Sequence, residues 1–224
     1  TVNGIAIGIL HLNHIASGTG GDPVSAQYSE HKVQIVTMVA EHIALALSNL
    51  KLKESLRQQS IRDALTGLFN RRYMEETLAR ELSRAEREDK PVGVIMFDID
   101  HFKQFNDLSG HDAGDALLRE LGAFLNKSVR GGDIVWRYGG EEFLTVLPGA
   151  DIESARDRAE ELRLGVKNML VYHLGKPLAK CTVSLGVAAF PKNARDSETL
   201  LKAADTALYR AKTEGRDRVV AIGD

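Results

Sequence analysis

Cysteine is nearly absent from this sequence: Cys181 is the only one among 224 residues. A single cysteine cannot form an internal disulfide, which fits a reducing cytosol and predicts a cytoplasmic protein. Cys181 begins the strand-like stretch CTVSLGVAAF, so we expect its thiol to be packed.

Neither charge is in excess, and long apolar runs are lacking. Lys plus Arg total 29 against 31 for Asp plus Glu, so no basic field recruits nucleic acid, and the expected ligand is not a polymer. No uninterrupted apolar run approaches the ~20 residues of a membrane span, which predicts no membrane segment in this chain. The first residue is threonine rather than methionine, and we therefore expect a piece of a longer protein.

Residues 1–60 differ in pattern from the rest of the chain. A strand-like run, Ile5 to Leu12, precedes a Gly/Ser/Asp-rich loop from Ser17 to Ala26. One long helix is then predicted from Glu30 to about Gln59, because apolar residues recur close to heptad spacing at Val36, Val39, Ile43, Leu47 and Leu50.

Helical and strand-like segments alternate in the remainder. The predicted helices are about Arg71–Arg87, Asp112–Val129, Ile152–Lys167 and Ser197–Thr213. The predicted strands are Val92–Ile99, Thr182–Phe190 and Arg218–Ile222, with a hairpin over Asp133–Leu147. This order predicts an α/β fold with one central sheet flanked by helices.

The predicted hairpin contains the pentapeptide GGEEF, Gly139 to Phe143. The segments DIVWRY before it and FLTVL after it are strand-like, so the two glycines are predicted to form a two-residue turn. A turn without side chains lets a bulky polyanion approach the backbone, and Glu141 and Glu142 would hold a hard cation beside it. Taken alone, a solvated turn explains the same pattern.

A second acidic cluster follows the apolar run PVGVIMF. Asp98 and Asp100 stand at the exit of this predicted strand, and alternation puts them on one face. Ligands of α/β sheets usually lie at such open strand ends. Asp98, Glu141 and the carbonyl of Ile99 would form an all-oxygen, partly hydrated Mg²⁺ site of the type that accompanies substrate phosphates.

With both clusters in view, the sequence from about Asp63 to Val220 resembles the GGDEF family of diguanylate cyclases, of which GGEEF is a common active variant. The matching blocks, in family order, are DALTGLFNRR, FDIDHFKQFND, GHDAGD, RGGD, WRYGGEEF, VSLGVA and ADTALYRAKTEGRD. The resemblance implies a ferredoxin-like sheet and the condensation of two GTP molecules into cyclic di-GMP and two pyrophosphates, with Mg²⁺ or Mn²⁺ as cofactor. Each domain would hold one GTP, so the active form would be a homodimer.

The resemblance also implies residue roles. The metal ions would be held by Asp98, Ile99 and Glu141. The groups acting in catalysis would be Asp98, Lys103, Glu141 and Glu142. The contacts to GTP would come from Phe102, Asn106, Asp115, Gly139, Gly140, Lys212 and Arg216, with Arg137 a weaker candidate. An amide and a carboxylate together satisfy guanine's O6, N1–H and N2–H, so Asn106 and Asp115 would hydrogen-bond the guanine base.

Three of these residues have structural alternatives. Asp115 would otherwise be a helix-surface acid. Lys212 and Arg216 are four apart and would face the same way if the predicted helix persists. Their alternative role is a cation pair that favours a helix C-terminus.

Arg130 to Asp133, RGGD, has the spacing from GGEEF of the family's product-binding inhibitory site, written RxxD. Arginine forks onto a phosphate or a guanine edge, and aspartate accepts from guanine's N1–H and N2–H. A Gly-Gly turn with Arg130 capping the preceding helix is the alternative. Where relatives often place another arginine on the next helix, this chain has Glu161, although Arg158 and Arg163 are near.

Residues 1–60 resemble the C-terminal end of a GAF sensory domain with its connecting signalling helix, which leaves 61–224 as the GGDEF domain. The main alternative function is an inactive GGDEF domain that acts as a receptor for GTP or cyclic di-GMP, or as a dimerisation module. The set of retained residues favours the enzyme: Asp98, Asn106, Asp115, Glu141, Lys212 and Arg216.

Overall fold

The computed structural model describes residues 30–223, which belong to two compact units, Thr1–Ser60 and Ile61–Asp224. Within the first unit, a long helix was predicted, and α1 runs from Glu30 to Ile61. The predicted strand Ile5–Leu12 and the loop Ser17–Ala26 lie outside the described residues.

In one chain taken alone, most of the apolar side chains of helix α1 are exposed to solvent. Among them are Val39, Ile43, Leu47 and Leu50. By length and composition, its segment Gln34–Gln58 is the one stretch within residues 30–223 that is long and apolar enough to cross a membrane. The sequence predicted no membrane segment because long uninterrupted apolar runs are lacking, and this stays a prediction.

The second unit alternates strands and helices. Its helices are α2 (Arg71–Glu88), α3 (Phe102–Ser109), α4 (His111–Ser128), α5 (Ile152–Asn168) and α6 (Ser197–Thr213). Its strands are β1 (Phe69–Asn70), β2 (Val92–Ile99), β3 (Ile134–Arg137), β4 (Glu142–Pro148), β5 (Tyr172–His173), β6 (Lys176–Pro177), β7 (Val183–Phe190) and β8 (Val219–Ala221).

Side-chain caps fix where three of the helices begin. The carboxylate or amide oxygen of Asn70, Asp151 and Asp196 accepts from the backbone N–H three residues later, at the starts of α2, α5 and α6. Such caps satisfy N–H groups that have no partner inside the helix. These three helices consequently begin where the sequence predicts.

Six strands form one sheet in the order β1-β3-β4-β2-β7-β8. The central strand β2 pairs antiparallel with β4 on one side and with β7 on the other. The register sets Asp98 opposite Glu142 of β4 and opposite Ser184 of β7. The sheet therefore brings the two acidic segments of the sequence to the same end.

The sheet has an apolar layer on each face. Ile95, Phe97 and Ile99 pack with side chains of α4 and α5. Val94 and Met96 pack on the other face with side chains of α2 and α6. Because all eight residues of β2 are buried, its end at Asp98 is held rigidly by both layers.

Two features depart from the sequence expectations. Helix α3, strand β1 and the small β5–β6 hairpin were not predicted, since all of them are short. The turn between β3 and β4 is not a two-residue glycine turn: four residues, Tyr138 to Glu141, separate the strands, and neither Gly139 nor Gly140 has a left-handed φ.

Candidate active site

Asp98 lies at the end of β2, where strand packing fixes its position. The preceding residue, Phe97, stacks on Phe143 of β4 with ring centroids 5.4 Å apart. The backbone N–H of Ile99 donates to the Glu141 carbonyl at 3.3 Å. Asp98 and Glu141, predicted from separate motifs, are thus brought together at one end of the sheet.

The carboxylates at this end repel one another. Burial raises the pKa of Asp98 against the opposing hydrogen bond from Lys212, and the charges of Glu142 and Asp100 raise it further. Burial also raises the pKa of Glu141, and the nearby charge of Asp98 adds to this effect. A partly buried cluster that resists its own ionisation is stabilised by a cation.

The donor chemistry fits a hard divalent cation. Lys212 of α6 places its ammonium 2.8 Å from Asp98 Oδ2, so a positive charge at this position stabilises the carboxylate. Among residues 30–223, no three His, Cys, Asp or Glu side chains converge closely enough to hold an ion by themselves. Two carboxylates and the Ile99 carbonyl would therefore leave coordination positions for phosphate oxygens and water, as Mg²⁺ prefers.

Asp100 is as buried as Asp98 but has different partners. Its carboxylate accepts from the hydroxyls of Thr182 and Ser184, each at 2.7 Å, and from the backbone N–H of Asp217 at 3.1 Å. Three donated hydrogen bonds saturate much of its accepting capacity. Asp100 therefore fixes the strand end and the loop after α6.

The turn before Glu142 is closed by an arginine. Arg137 donates to the Gly140 carbonyl at 2.7 Å and to Asp63 at 3.0 and 3.2 Å. This engagement makes Arg137 a structural residue of the turn, which weakens its candidacy as a phosphate contact. A Cβ at Gly139 would lie 2.7 Å from Glu142 Oε2, so a larger residue there would displace the Glu142 carboxylate.

The predicted guanine-contacting residues lie on the α3–α4 helical pair. Asn106 Oδ1 is buried and has no hydrogen-bond partner among the described residues. It lies so close to α4 that a Cβ at Gly114 would be 1.9 Å away. Asp115 follows Gly114, is half exposed and lies 3.8 Å from Arg119. The ring of Phe102 is buried beneath this pair.

The three predicted phosphate cations are placed differently from one another. Lys212 lies on the last turn of α6 and reaches Asp98, whereas Lys103 is exposed in the first turn of α3. Arg216 is not on the helix, because α6 ends at Thr213, and Arg216 has a φ of 62°. The condition for Lys212 and Arg216 to share a helix face is therefore not met.

Arg130 and Asp133 border a cavity of about 540 Å³ at the opposite end of β4. Asp133 Oδ2 accepts from the Arg130 backbone N–H at 2.9 Å, which closes the turn. Arg158 of α5 lines the same cavity, and its Nε is buried without a partner in the described part of the chain. Its Nη1 pairs with Glu161 at 2.5 Å.

Arg163, the other arginine noted on this helix, does not line the cavity. It pairs with Glu160 and with Asp217, in the loop after α6. Sequence reasoning missed Arg163, Lys167 and Asp217 as a cluster, because residues 50 or more positions apart carry no local signal of their contact. A neighbouring cavity of about 780 Å³ shares Gly132 and Asp133 and extends to α2.

The fold and the site define a mixed α/β domain in which a carboxylate cluster at one end of the sheet favours a cation and α3 carries a buried, unsatisfied amide oxygen. The family model described as diguanylate cyclase, GGDEF domain, matches residues 60–218. The chain therefore belongs to this family.

Two curated relatives show the extent of the sequence similarity. The chain is 41% identical over 166 residues to the diguanylate cyclase DgcP of Pseudomonas aeruginosa, covering 74% of this chain and 24% of that protein. It is 42% identical over 163 residues to the response regulator PleD of Caulobacter vibrioides, covering 72% and 36%. The chain therefore spans about a quarter of the length of the first relative and just over a third of the second.

Solved structures confirm the fold predicted from the sequence. The coiled coil and GGDEF domain of DgcB from Caulobacter crescentus, solved in complex with c-di-GMP, has a TM-score of 0.77 at 29% identity, covering 84% of this chain and 98% of that one. The active GGEEF domain of a diguanylate cyclase from Vibrio cholerae has a TM-score of 0.64 at 30% identity, covering 69% and 97%.

Proposed function

We propose that this protein condenses two GTP molecules into cyclic di-GMP and two pyrophosphates. The observation that carries the proposal is the carboxylate cluster at the end of β2, where burial and mutual repulsion raise the pKa of Asp98 and of Glu141. A cluster of this kind favours a Mg²⁺ or Mn²⁺ ion together with the polyphosphate that it accompanies.

The residues of the chain would bind and orient the substrate. Lys212, Lys103 and Arg216 would contact the triphosphate, and the glycine turn would admit it beside the backbone. Divalent ions bound to Asp98, Glu141 and the Ile99 carbonyl would polarise phosphoryl oxygens and offset charge on the leaving pyrophosphate. Glu142, next to this set, adds negative charge that favours the cations.

The base would be selected on the α3–α4 helical pair. The unsatisfied Asn106 Oδ1 is an acceptor for a guanine N–H, and burial without a partner is costly until a ligand supplies the donor. Asp115 would accept from a second N–H of the same edge. The Asn106 Nδ2 group would donate to guanine O6, where adenine presents a donor instead, so this pair favours GTP over ATP.

A homodimer is required by the symmetry of the product. One bound GTP per domain can attack a second only if two domains face each other about a two-fold axis. The exposed apolar residues of α1, close to heptad spacing, support pairing of two such helices. We propose that residues 1–60 correspond to the end of a GAF sensory domain with its connecting helix, and that the protein acts in the cytoplasm.

Cyclic di-GMP would inhibit the enzyme at the cavity formed by Arg130 and Asp133. The cavity offers the guanidinium of Arg158 as a further phosphate or guanine contact. Glu161 now neutralises that guanidinium. The inhibitory site would therefore be weaker than one in which the second arginine has no acidic neighbour.

The test is a product assay. The purified protein is incubated with GTP and Mg²⁺ over a range of protein concentrations, and cyclic di-GMP is identified by mass. We expect product, with turnover per chain rising as dimers form. Binding of GTP or cyclic di-GMP without product at high protein concentration would favour a receptor instead.

A further inference from the structure

The loop after α6 has an unusual backbone. Gly215, Arg216 and Asp217 have φ values of 121°, 62° and 42° in succession. The left-handed region is unfavourable for residues with a Cβ, and only Asn and Asp tolerate it with some ease. Arg216 is not one of these residues, so it needs contacts from elsewhere to keep this conformation.

Those contacts come first from α5. Arg163 donates to Asp217 Oδ1, and Lys167 Nζ lies 2.5 Å from Asp217 Oδ2. Arg163 also donates to the Asp217 carbonyl at 3.3 Å. Burial opposes ionisation of Asp217, but the hydrogen bonds from Lys167 and Arg163 outweigh it and lower its pKa. The carboxylate therefore stays charged and paired at neutral pH.

A second contact joins the loop to the strand that carries Asp98. The Asp217 backbone N–H donates to Asp100 Oδ2 at 3.1 Å. Asp100 is itself fixed by the hydroxyls of Thr182 and Ser184. Asp100 is two residues beyond Asp98, so this bond sets the loop directly against the carboxylate end of the sheet.

Arg216 lies between two anchored peptides. Its own backbone N–H donates to the Ala211 carbonyl at 3.0 Å and closes the end of α6, while Asp217 is bound on its other side. Its side chain is exposed. The backbone of Arg216 is therefore fixed, while its guanidinium is accessible to solvent.

We infer that Asp217 is a positioning residue for the cyclase reaction, which holds Arg216 at a set place relative to Asp98 for contact with the triphosphate. The residues that do this, here called the Asp217 latch, are Asp100, Arg163, Lys167 and Asp217. The inference rests on the proposed function, since it assigns Arg216 to the phosphates of GTP.

The first test compares Asp217→Asn with wild-type protein in turnover of GTP and in affinity for a non-hydrolysable GTP analogue with Mg²⁺. Asparagine has the same size and keeps the backbone bond to Asp100, so the fold should persist. We expect analogue affinity to fall about tenfold and kcat by up to about 100-fold, because misplacing a phosphate contact by 1 Å has effects of this order.

The matched control is Glu153→Gln, which removes another acid–lysine pair of α5, with Lys192. It should leave both measurements unchanged. A purely structural role for Asp217 would lower Tm without altering analogue affinity, and that result would overturn the inference.

A double-variant cycle tests whether Asp217 acts through Arg216. If it does, Arg216→Ala combined with Asp217→Asn should bind the analogue no more weakly than Arg216→Ala alone. Additive losses would contradict the inference. If wild-type protein neither binds the analogue nor makes product, both the proposed function and the role of Asp217 are wrong. If wild type is active and Asp217→Asn has the same turnover and analogue affinity, only the role of Asp217 is wrong.

Discussion

The two ends of β4 carry polar sites that balance charge in different ways. At the Glu142 end, here called the crowded end, Asp98 and Glu141 lie close together, and among residues 30–223 Lys212 is the cation that offsets them. At the Pro148 end, here called the matched end, Asp133 accepts from the backbone N–H of Arg130, and Glu161 forms an ion pair with Arg158.

This difference indicates two kinds of binding. The crowded carboxylates lack sufficient positive charge within the protein, so an ion from solution is favoured there. At the matched end, Arg158 is already paired, so an anion that binds to Arg158 must displace Glu161. The first arrangement suits an essential metal and substrate, and the second suits a ligand that acts only when abundant.

The largest effect is expected from removing a carboxylate at the crowded end. Glu141→Ala should lower turnover by roughly 10²–10³-fold or more, because removing one group that stabilises transition-state charge has this cost. Initial rates of cyclic di-GMP formation measure it. The surface variant Glu153→Ala is the control, and a Glu141→Ala enzyme with normal rates would show that the carboxylate cluster is not catalytic.

Arg130→Ala removes an arginine at the matched end and should leave the initial rate of turnover unchanged. Losing a hydrogen bond from a charged donor costs about 1.5–3 kcal/mol, so the inhibition constant for cyclic di-GMP should rise roughly 10- to 150-fold. Progress curves with added product give this constant. An unchanged constant would reject Arg130 as a product contact.

Asp115→Ser tests whether the helical pair, rather than either end of β4, reads the base. Discrimination against ATP should weaken by ~1 to 3 kcal/mol, about five- to 150-fold, as for one good base-edge contact. Competing rates with GTP and ATP measure it, with Asp112→Ser on the same helix as control. Unaltered discrimination would leave Asp115 as a surface acid.

Glu161→Gln sharpens the comparison by releasing Arg158. Since an ion pair with one exposed partner contributes about 1 kcal/mol or less, product inhibition should strengthen by up to roughly fivefold. Arg158→Gln should weaken it. Equal inhibition in wild type and Glu161→Gln would mean that the pair does not oppose product binding.

The smallest effect concerns stability without metal. A carboxyl whose pKa is raised by folding destabilises the protein above that pKa, and the penalty fades as pH falls through it. Burial and Asp98 raise the pKa of Glu141, so Glu141→Gln should increase Tm slightly at neutral pH and lose this gain in acid. Thermal melts in chelator measure it, and a gain that is independent of pH would contradict the electrostatic cause.

The pattern of apolar residues predicted most of the fold, because the longer helices and strands have strong local patterns. The convergence of Asp98 and Glu141 was also predictable, from strand-end positions. The distinct partners of Asp98 and Asp100 were not, since they depend on which donors β7 and the loop after α6 supply. The left-handed Arg216 and the arginine turn at Gly140 likewise arise from contacts distant in sequence.

The most direct measurement is a crystal structure of the protein with Mn²⁺ and a non-hydrolysable GTP analogue, with the ion located by anomalous scattering. The account predicts Mn²⁺ about 2.0–2.4 Å from oxygens of Asp98 and Glu141, bridged to the triphosphate, with guanine against Asn106. An ion bound away from these two carboxylates, or a triphosphate held elsewhere, would contradict it.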